Sequence, residues 1–269
     1  MKKSVFIAEK PSVAQEFAKA LKVKTTRHDG YLESENTIVT WCVGHLVTMS
    51  YPEVYDIKYK RWTLETLPFL PGEFKYEVIP AVRKQFEIVS GLLNRADVET
   101  IYVCTDSGRE GEYIYRLVAQ MAGVKGKKEK RVWIDSQTEE EIIRGIKEAK
   151  DLSAYNNLSA SAYLRAKEDY LMGINFSRIL TLRYGNSVSN YLGNKYQVIS
   201  VGRVMTCVLG MVVRREREIR EFVKTPFYRV LGKFSLEGRS FEGEWRAVEG
   251  SRYFQSPDLY KENGFKDRN

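Results

Sequence analysis

Over the first 150 residues, short apolar runs that end in charged or glycine residues alternate with amphipathic segments. Residues 4–8 form one such run, and after Pro11 the apolar positions Val13, Phe17 and Leu21 follow at helical spacing. Residues 99–105 form a second run, which ends in acidic and glycine residues and is followed by an apolar helical face. The pattern therefore predicts two units, each made of a strand, a tight turn and a helix.

Further elements fit the same alternation. Residues 37–43 are β-branched and aromatic and predict a strand, Val132 and Ile134 predict another, and residues 51–80 are typical of an ordered excursion without much regular structure. Thr138 with Glu141 forms a capping box that opens a helix. Strands that alternate with amphipathic helices predict an α/β domain over residues 1–150, with a mostly parallel sheet covered on both faces.

The period changes after this domain. Residues 155–222 have helical spacing throughout, which predicts a separate helical domain over residues 151–222. From residue 225 the pattern favours strands at 227–234 and 241–248 around a turn at 237–240. Residues 223–269 are therefore predicted to begin a β-rich domain that is incomplete.

The composition indicates which classes of binding partner the protein has. The net charge of +8 and the sequence pI near 9.2 favour a polyanionic partner such as nucleic acid. Three widely spaced cysteines argue against a disulfide framework and against a zinc site. No apolar run approaches the roughly 20 residues that cross a bilayer, and no secretion signal opens the chain. We therefore expect a soluble cytoplasmic protein with no membrane partner.

Candidate chemistry lies at the two predicted strand ends. Glu9 and Lys10 follow the first strand, and the segment from Asp106 to Glu112 follows the later one, with three carboxylates and two glycines in seven residues. Ligands gather at the carboxyl ends of strands in an open α/β sheet, and such oxygen ligands suit Mg²⁺. The alternative is that these acids only favour the positive end of a helix dipole.

Several segments together resemble the type IA DNA topoisomerases of the topoisomerase III kind. They are residues 7–14, 43–46, 104–112, 131–134, 165–175 and 200–206, in the order in which that family has them. The resemblance implies a Toprim (Rossmann-like) domain followed by the start of later domains. It also implies a Mg²⁺-dependent reaction in which a tyrosine attacks single-stranded or negatively supercoiled DNA, forms a 5′-phosphotyrosyl link, passes a strand and reseals the gap.

Position by position, the resemblance assigns roles. Glu9 is the implied acid or base at the 3′-oxygen, and Lys10 and Arg109 are the implied phosphate contacts. The carboxylates expected around the metal are those of Asp106, Glu110 and Glu112. The predicted DNA-binding side chains are Arg165, Asp169, Arg178, Arg203 and His45.

The chain departs from the family pattern at a few places. Gly108 stands where the motif Asp-x-Asp-x-Glu has its second Asp, and Met205 and Cys207 replace Gln and Pro. None of the 17 tyrosines has the Tyr-Pro-Arg-Thr-like context of the nucleophile, so the chain is expected to be inactive alone. Two alternatives stay open: a non-catalytic module that binds single-stranded DNA, and a different Toprim chemistry as in primases or nucleases.

Overall fold

The computed structural model describes residues 2–268. The strands within these residues are β1 (Lys3–Ala8), β2 (Thr26–His28), β3 (Tyr31–Glu33), β4 (Thr37–Trp41), β5 (Val47–Met49), β6 (Tyr76–Val78), β7 (Val98–Cys104), β8 (Lys128–Arg131), β9 (Lys150–Asp151), β10 (Leu231–Leu236), β11 (Arg239–Glu244), β12 (Leu259–Lys261) and β13 (Gly264–Phe265). The α-helices are α1 (Pro11–Ala20), α2 (Arg83–Leu93), α3 (Arg109–Ala122), α4 (Glu139–Lys147), α5 (Asn156–Leu192) and α6 (Arg203–Arg220).

A mixed sheet in the order β2-β3-β4-β1-β7-β8-β9 forms the centre of the α/β domain. The four strands β4, β1, β7 and β8 run parallel, and the outer strands β2, β3 and β9 pair antiparallel. The predicted α/β fold with a mainly parallel sheet is therefore confirmed.

Alternating residues of β1 explain why helices cover both faces. Val5 and Ile7 point into one core, where they join residues of α2 and α3. Phe6 and Ala8 point into the other core, where they meet residues of α1 and α4. Successive side chains of a strand point to opposite faces, so an unbroken apolar strand has to be buried on both sides.

The prediction of a strand at Val132 and Ile134 is wrong by a few residues. Strand β8 ends at Arg131, which pairs with Val103 of β7. The N–H of Ile134 then donates to Ser107 Oγ at 2.9 Å, so the chain leaves the ladder there. The more polar residues before it, Lys128 to Arg131, form the strand instead.

Two other local predictions are confirmed, whereas the helical pattern predicted throughout residues 155–222 is interrupted between the end of α5 at Leu192 and the start of α6 at Arg203. Thr138 is the N-cap of α4, and its hydroxyl accepts the N–H of Glu141. Residues 51–80 hold short 3-10 helices at Pro52–Val54, Ile57–Lys60 and Leu64–Thr66, and strand β6 near their end. The predicted β-hairpin is present, but its strands β10 and β11 are shifted from the predicted 227–234 and 241–248. It turns at Glu237 and Gly238, whose positive φ values of 50° and 75° suit a two-residue turn that follows the twist of the strands.

The chain divides into two compact units, Met1–Thr206 and Cys207–Asn269, and the division falls in the first turn of α6. The first unit holds the sheet and the long helix α5, and the second holds the two small antiparallel pairs β10–β11 and β12–β13. The domain limits at residues 150 and 222 stay predictions. No helix among residues 2–268 is both long and apolar enough to cross a membrane.

Candidate active site at the ends of β1 and β7

The site begins where β1 and β7 end side by side. Ala8 pairs with Cys104 in parallel register, so the residues that follow both strands emerge at the same edge of the sheet. The backbone N–H of Asp106 donates to Glu9 Oε2 at 3.3 Å. The two loops that carry the sequence-predicted acids therefore meet, as their positions predicted.

Glu9 is the buried acid of this site, with 7% of its surface exposed. Burial is the largest cause of a raised pKa at Glu9, and the charge of Asp106 raises this pKa further. The N–H of Asp106 and the charge of Lys10 lower the pKa of Glu9 without cancelling the rise, and Glu110 adds a small increase. Glu9 therefore holds a proton to higher pH than an ordinary glutamate.

The charged residues around Glu9 face solvent. Lys10, Asp106, Arg109 and Glu110 are all exposed. Asp106 follows β7, whereas Arg109 and Glu110 belong to the first turn of α3. The exposed side chains can therefore meet a ligand from solvent, while Glu9 approaches it from the protein side.

Gly111 lets this loop fold back on itself. A Cβ at Gly111 would lie 2.1 Å from the carbonyl oxygen of Asp106, which is too close for any side chain. Thr105 fastens the same turn, because its hydroxyl donates to the Gly111 carbonyl at 2.7 Å. The glycine in the motif is therefore a requirement of close backbone approach.

Glu112 lies apart from the other two carboxylates of the motif. It is fully buried, with one oxygen 2.8 Å from Arg116 Nε and the other 3.0 Å from Arg131 Nε. The carboxylate that the sequence suggested as part of the metal site thus accepts a hydrogen bond from Arg116 and forms an ion pair with Arg131. Its position supports an anchoring role inside the domain.

His45 reaches the acidic loop from residues 42–46, between β4 and β5. Its Nε2 lies 2.5 Å from Glu110 Oε1, and its ring meets the ring of Tyr113 edge-on at 6.0 Å. The structure therefore brings His45 to the predicted metal ligand Glu110.

A cavity of about 470 Å³ opens beside this loop. Its charged lining consists of Arg109, Glu110, Arg165, Asp169 and Arg203. Arg203 forms a two-point contact with Asp169, with both N–O distances at 3.0 Å. Three arginines from α3, α5 and the start of α6 therefore share one cavity with the carboxylates.

Arg178 is the predicted DNA-binding residue that the structure places elsewhere. It is 5% exposed and lies over the ring of Trp62, with its guanidinium carbon 5.2 Å from the ring centre. Burial lowers the pKa of Arg178. A side chain enclosed in this way packs against the 51–80 excursion and does not present its charge to solvent.

The metal expected here is Mg²⁺, and the donor chemistry fits it. Asp106 and Glu110 offer exposed carboxylates, and Mg²⁺ binds through one or two carboxylates together with water and substrate phosphate. Within residues 2–268, no three His, Cys, Asp or Glu side chains cluster as a complete metal site. The site therefore suits a Mg²⁺ ion that is bound jointly by the two carboxylates and by a phosphate of the substrate.

Sequence reasoning missed two contributors to the site. Tyr113 lines the cavity one helical turn after Glu110, and that spacing was available as a signal. Arg131 contacts the acidic loop from β8 and is fully buried. The sequence placed Arg131 in the family-like segment 131–134 but gave it no role of its own.

Comparisons with known proteins agree with this geometry. The Toprim domain family matches residues 4–136, and a family described as DNA topoisomerase matches residues 153–262. DNA topoisomerase 3 of Bacillus thuringiensis (strain Al Hakam) is 43% identical over 228 residues, which are 85% of this chain and 30% of that protein. The DNA topoisomerases 3 of Shouchella clausii (strain KSM-K16) and Bacillus subtilis (strain 168) are 42% and 40% identical over 254 residues, 94% of this chain and 33% of each protein.

The chain spans about a third of the length of these curated relatives. Its two matched regions follow one another in the order Toprim domain, then DNA topoisomerase region, and cover most of residues 4–262. The chain therefore belongs to the type IA DNA topoisomerases of the topoisomerase III kind.

Proposed function

We propose that this chain provides the acid and metal side of a type IA topoisomerase active site. The whole enzyme would cleave, pass and rejoin single strands of DNA through a 5′-phosphotyrosyl intermediate. One observation carries this proposal: the buried Glu9, with its raised pKa, lies within hydrogen-bonding distance of the Asp106 backbone at the edge where β1 and β7 end. Departure of a sugar oxygen from phosphate needs a proton donor, and a carboxyl group with a raised pKa suits that role.

Glu9 would act on the leaving oxygen. When a tyrosine oxygen attacks phosphorus, the bond from phosphorus to the 3′-oxygen breaks, and that oxygen takes the proton of Glu9. On resealing, the 3′-hydroxyl attacks phosphorus and returns its proton to Glu9, while the bond from phosphorus to the tyrosine oxygen breaks. The tyrosine leaves as the phenolate that attacked in the first step, and Glu9 is again the acid. A carboxyl group whose pKa is raised holds its proton more readily at a given pH than an ordinary glutamate, so it can both donate a proton and take one back.

The charged residues around Glu9 would hold the phosphate. Lys10 and Arg109 are exposed and would contact its oxygens. Asp106 and Glu110 would hold Mg²⁺, which when bound neutralises charge on the phosphate. Glu110 would have to exchange its contact with His45 for the metal.

Arg165 and Arg203 would bind the backbone of single-stranded or negatively supercoiled DNA. Both line the cavity that also holds Arg109, so a strand that enters it would pass directly to the acidic loop. Asp169 would orient Arg203, because its two-point contact fixes one edge of the guanidinium. We also assign the protein to the reducing cytoplasm, in keeping with its free thiols Cys42, Cys104 and Cys207.

Binding to a labelled single-stranded oligonucleotide over a salt series tests this assignment. We expect Arg203→Ala to weaken binding and to reduce the slope of log K against log salt by about 0.7, the value for one phosphate contact on a single strand. Arg27→Ala is the matched control, because it removes an equal charge from the edge strand β2. If both substitutions weaken binding equally, Arg203 contributes only through the net charge of the protein and makes no specific phosphate contact.

Relaxation of negatively supercoiled plasmid in Mg²⁺ tests the catalytic part. We expect no relaxation by the isolated chain, because none of its tyrosines has the context of the family nucleophile. Clear relaxation that Glu9→Ala abolishes would contradict this expectation and place the nucleophile among its own tyrosines.

A further inference from the structure

We propose that Arg131 is a positioning residue that fixes the metal-binding loop after β7. This inference rests on the proposed function, because it concerns the same carboxylates. Arg131 is fully buried at the end of β8, next to the end of β7. A guanidinium is costly to bury, so its position demands partners for its donors.

The hydrogen-bond partners of Arg131 are carbonyl groups at the end of β7 and in the loop after it, together with that of its neighbour Val132 at 3.1 Å. Its Nη1 donates to the carbonyl oxygens of Val103 at 3.0 Å and Thr105 at 2.7 Å. Its Nη2 donates to the carbonyl oxygen of Asp106 at 2.6 Å. One planar group thus holds Val103 near the end of β7, Thr105 directly after it and the first expected metal-binding residue, Asp106, in a fixed relation.

Glu112 compensates the buried charge. Its carboxylate lies 3.0 Å from Arg131 Nε and is itself fully buried. Since Glu112 lies two residues after Glu110 in α3, this ion pair also ties the loop to the helix that carries the second metal-binding carboxylate. Arg131 and Glu112 therefore connect the backbone of Asp106 with the helix of Glu110.

The opposite side of the loop is equally constrained. The N–H of Gly108 donates to the Asp106 carbonyl at 2.9 Å, and Gly111 packs against this same carbonyl. Without Arg131, the Thr105 and Asp106 carbonyl groups would each lose a charged donor in the protein interior. The loop would then adopt other conformations, and Mg²⁺ would have to select the productive one.

The expected effect is a loss of Mg²⁺ affinity. Groups that orient metal ligands change metal affinity about 10- to 100-fold when they are replaced. A residue that only stabilises the domain would lower its resistance to unfolding without changing the Mg²⁺ dissociation constant of the folded protein. These two roles can therefore be separated by measuring both quantities.

The test uses the full chain with the double substitution Arg131→Met and Glu112→Gln, which removes both buried charges together. Replacing both members of a buried pair is often tolerated, whereas removing one leaves a buried charge uncompensated. The matched control is Arg95→Met with Glu33→Gln, because this pair, 2.8 Å apart, joins the end of β3 to the segment before β7, away from the loop after β7. Calorimetric titration with MgCl₂ gives the dissociation constant, and hydrogen exchange without metal gives the protection of the Gly108 amide.

We expect the first pair of substitutions to weaken Mg²⁺ binding about 10- to 100-fold and to speed exchange at Gly108, and the control pair to change neither. Unchanged exchange at Gly108 together with an unchanged dissociation constant overturns the proposal. Absence of Mg²⁺ binding by the unsubstituted chain contradicts the proposed metal site, and the metal-free exchange then still decides whether Arg131 fixes the loop. Should the double variant not fold, Arg131→Lys keeps the charge with fewer, differently placed donors and is expected to show the same two changes.

Discussion

Restoring the second aspartate of the family motif should strengthen Mg²⁺ binding. Gly108 lies between Asp106 and Glu110, where the family pattern has an acid. Its φ of −178° is extended backbone that any residue adopts, and no heavy atom outside its immediate neighbours lies within 4 Å of a Cβ placed there. Gly108→Asp is therefore accepted without a backbone change, in contrast to any substitution at Gly111.

The size of the effect follows from charge. Two unit charges 4 Å apart in a water-like medium interact by about 1 kcal/mol, so a carboxylate beside a divalent ion gains about 2 kcal/mol. Repulsion from Asp106 and Glu110, which solvent screens, offsets roughly half of this gain. A net gain of about 1 kcal/mol corresponds to roughly fivefold tighter Mg²⁺ binding.

Calorimetric titration of MgCl₂ into the chain at low ionic strength measures this change. Gly108→Asn is the matched control, because it adds nearly the same shape without the charge. We expect the Asp variant to bind Mg²⁺ about fivefold more tightly than the Asn variant. Equal affinity in the two variants would refute the reasoning, since it would mean that residue 108 lies too far from the ion to act through charge.

Three further predictions concern the two loops of the site, after β1 and after β7. Gly111→Ala should lower the free energy of unfolding by about 1–3 kcal/mol in denaturant titrations, because its Cβ collides with the Asp106 carbonyl. Glu112→Ala should cost about 3–5 kcal/mol in the same assay, because Arg131 is then buried without its counter-charge, whereas Asp106→Asn at the exposed position should leave stability nearly unchanged. Since the pKa of Glu9 is raised, the folded state holds its proton more tightly than the unfolded state. Stability therefore falls as pH rises from 4.5 through the raised pKa, and Glu9→Gln should remove this loss in pH-dependent melting curves.

The fold was largely readable from the sequence because its signals are local. The apolar run of residues 4–8, with helical spacing after Pro11, specifies the β1–α1 unit, and Thr138 marks the start of α4. The predicted position of strand β8 was too late in the chain. Val132 and Ile134 are apolar because they pack in the core after the strand has ended, whereas the residues that pair with β7 are mostly charged.

The meeting of Glu9 and Asp106 was also predictable, because parallel neighbouring strands end at one edge. The role of Glu112 was harder to read from the motif alone. Residues two apart on a helix do not share a face, so Glu110 and Glu112 point to different sides of α3. Arg178 was not predictable, because its burial depends on Trp62, more than a hundred residues away in the chain.

The central claim is tested most directly by transplanting the chain into a complete enzyme. In a chimera, this chain replaces the 254 matching residues of the Bacillus subtilis DNA topoisomerase 3, and relaxation of negatively supercoiled plasmid is measured in Mg²⁺. We predict that the chimera relaxes the plasmid and that Glu9→Gln in its transplanted part abolishes relaxation while single-stranded DNA binding persists. Relaxation that is equally fast with Glu9→Gln would contradict the catalytic role of Glu9. A chimera that binds Mg²⁺ and DNA without relaxing the plasmid would contradict the claim and favour a non-catalytic DNA-binding module.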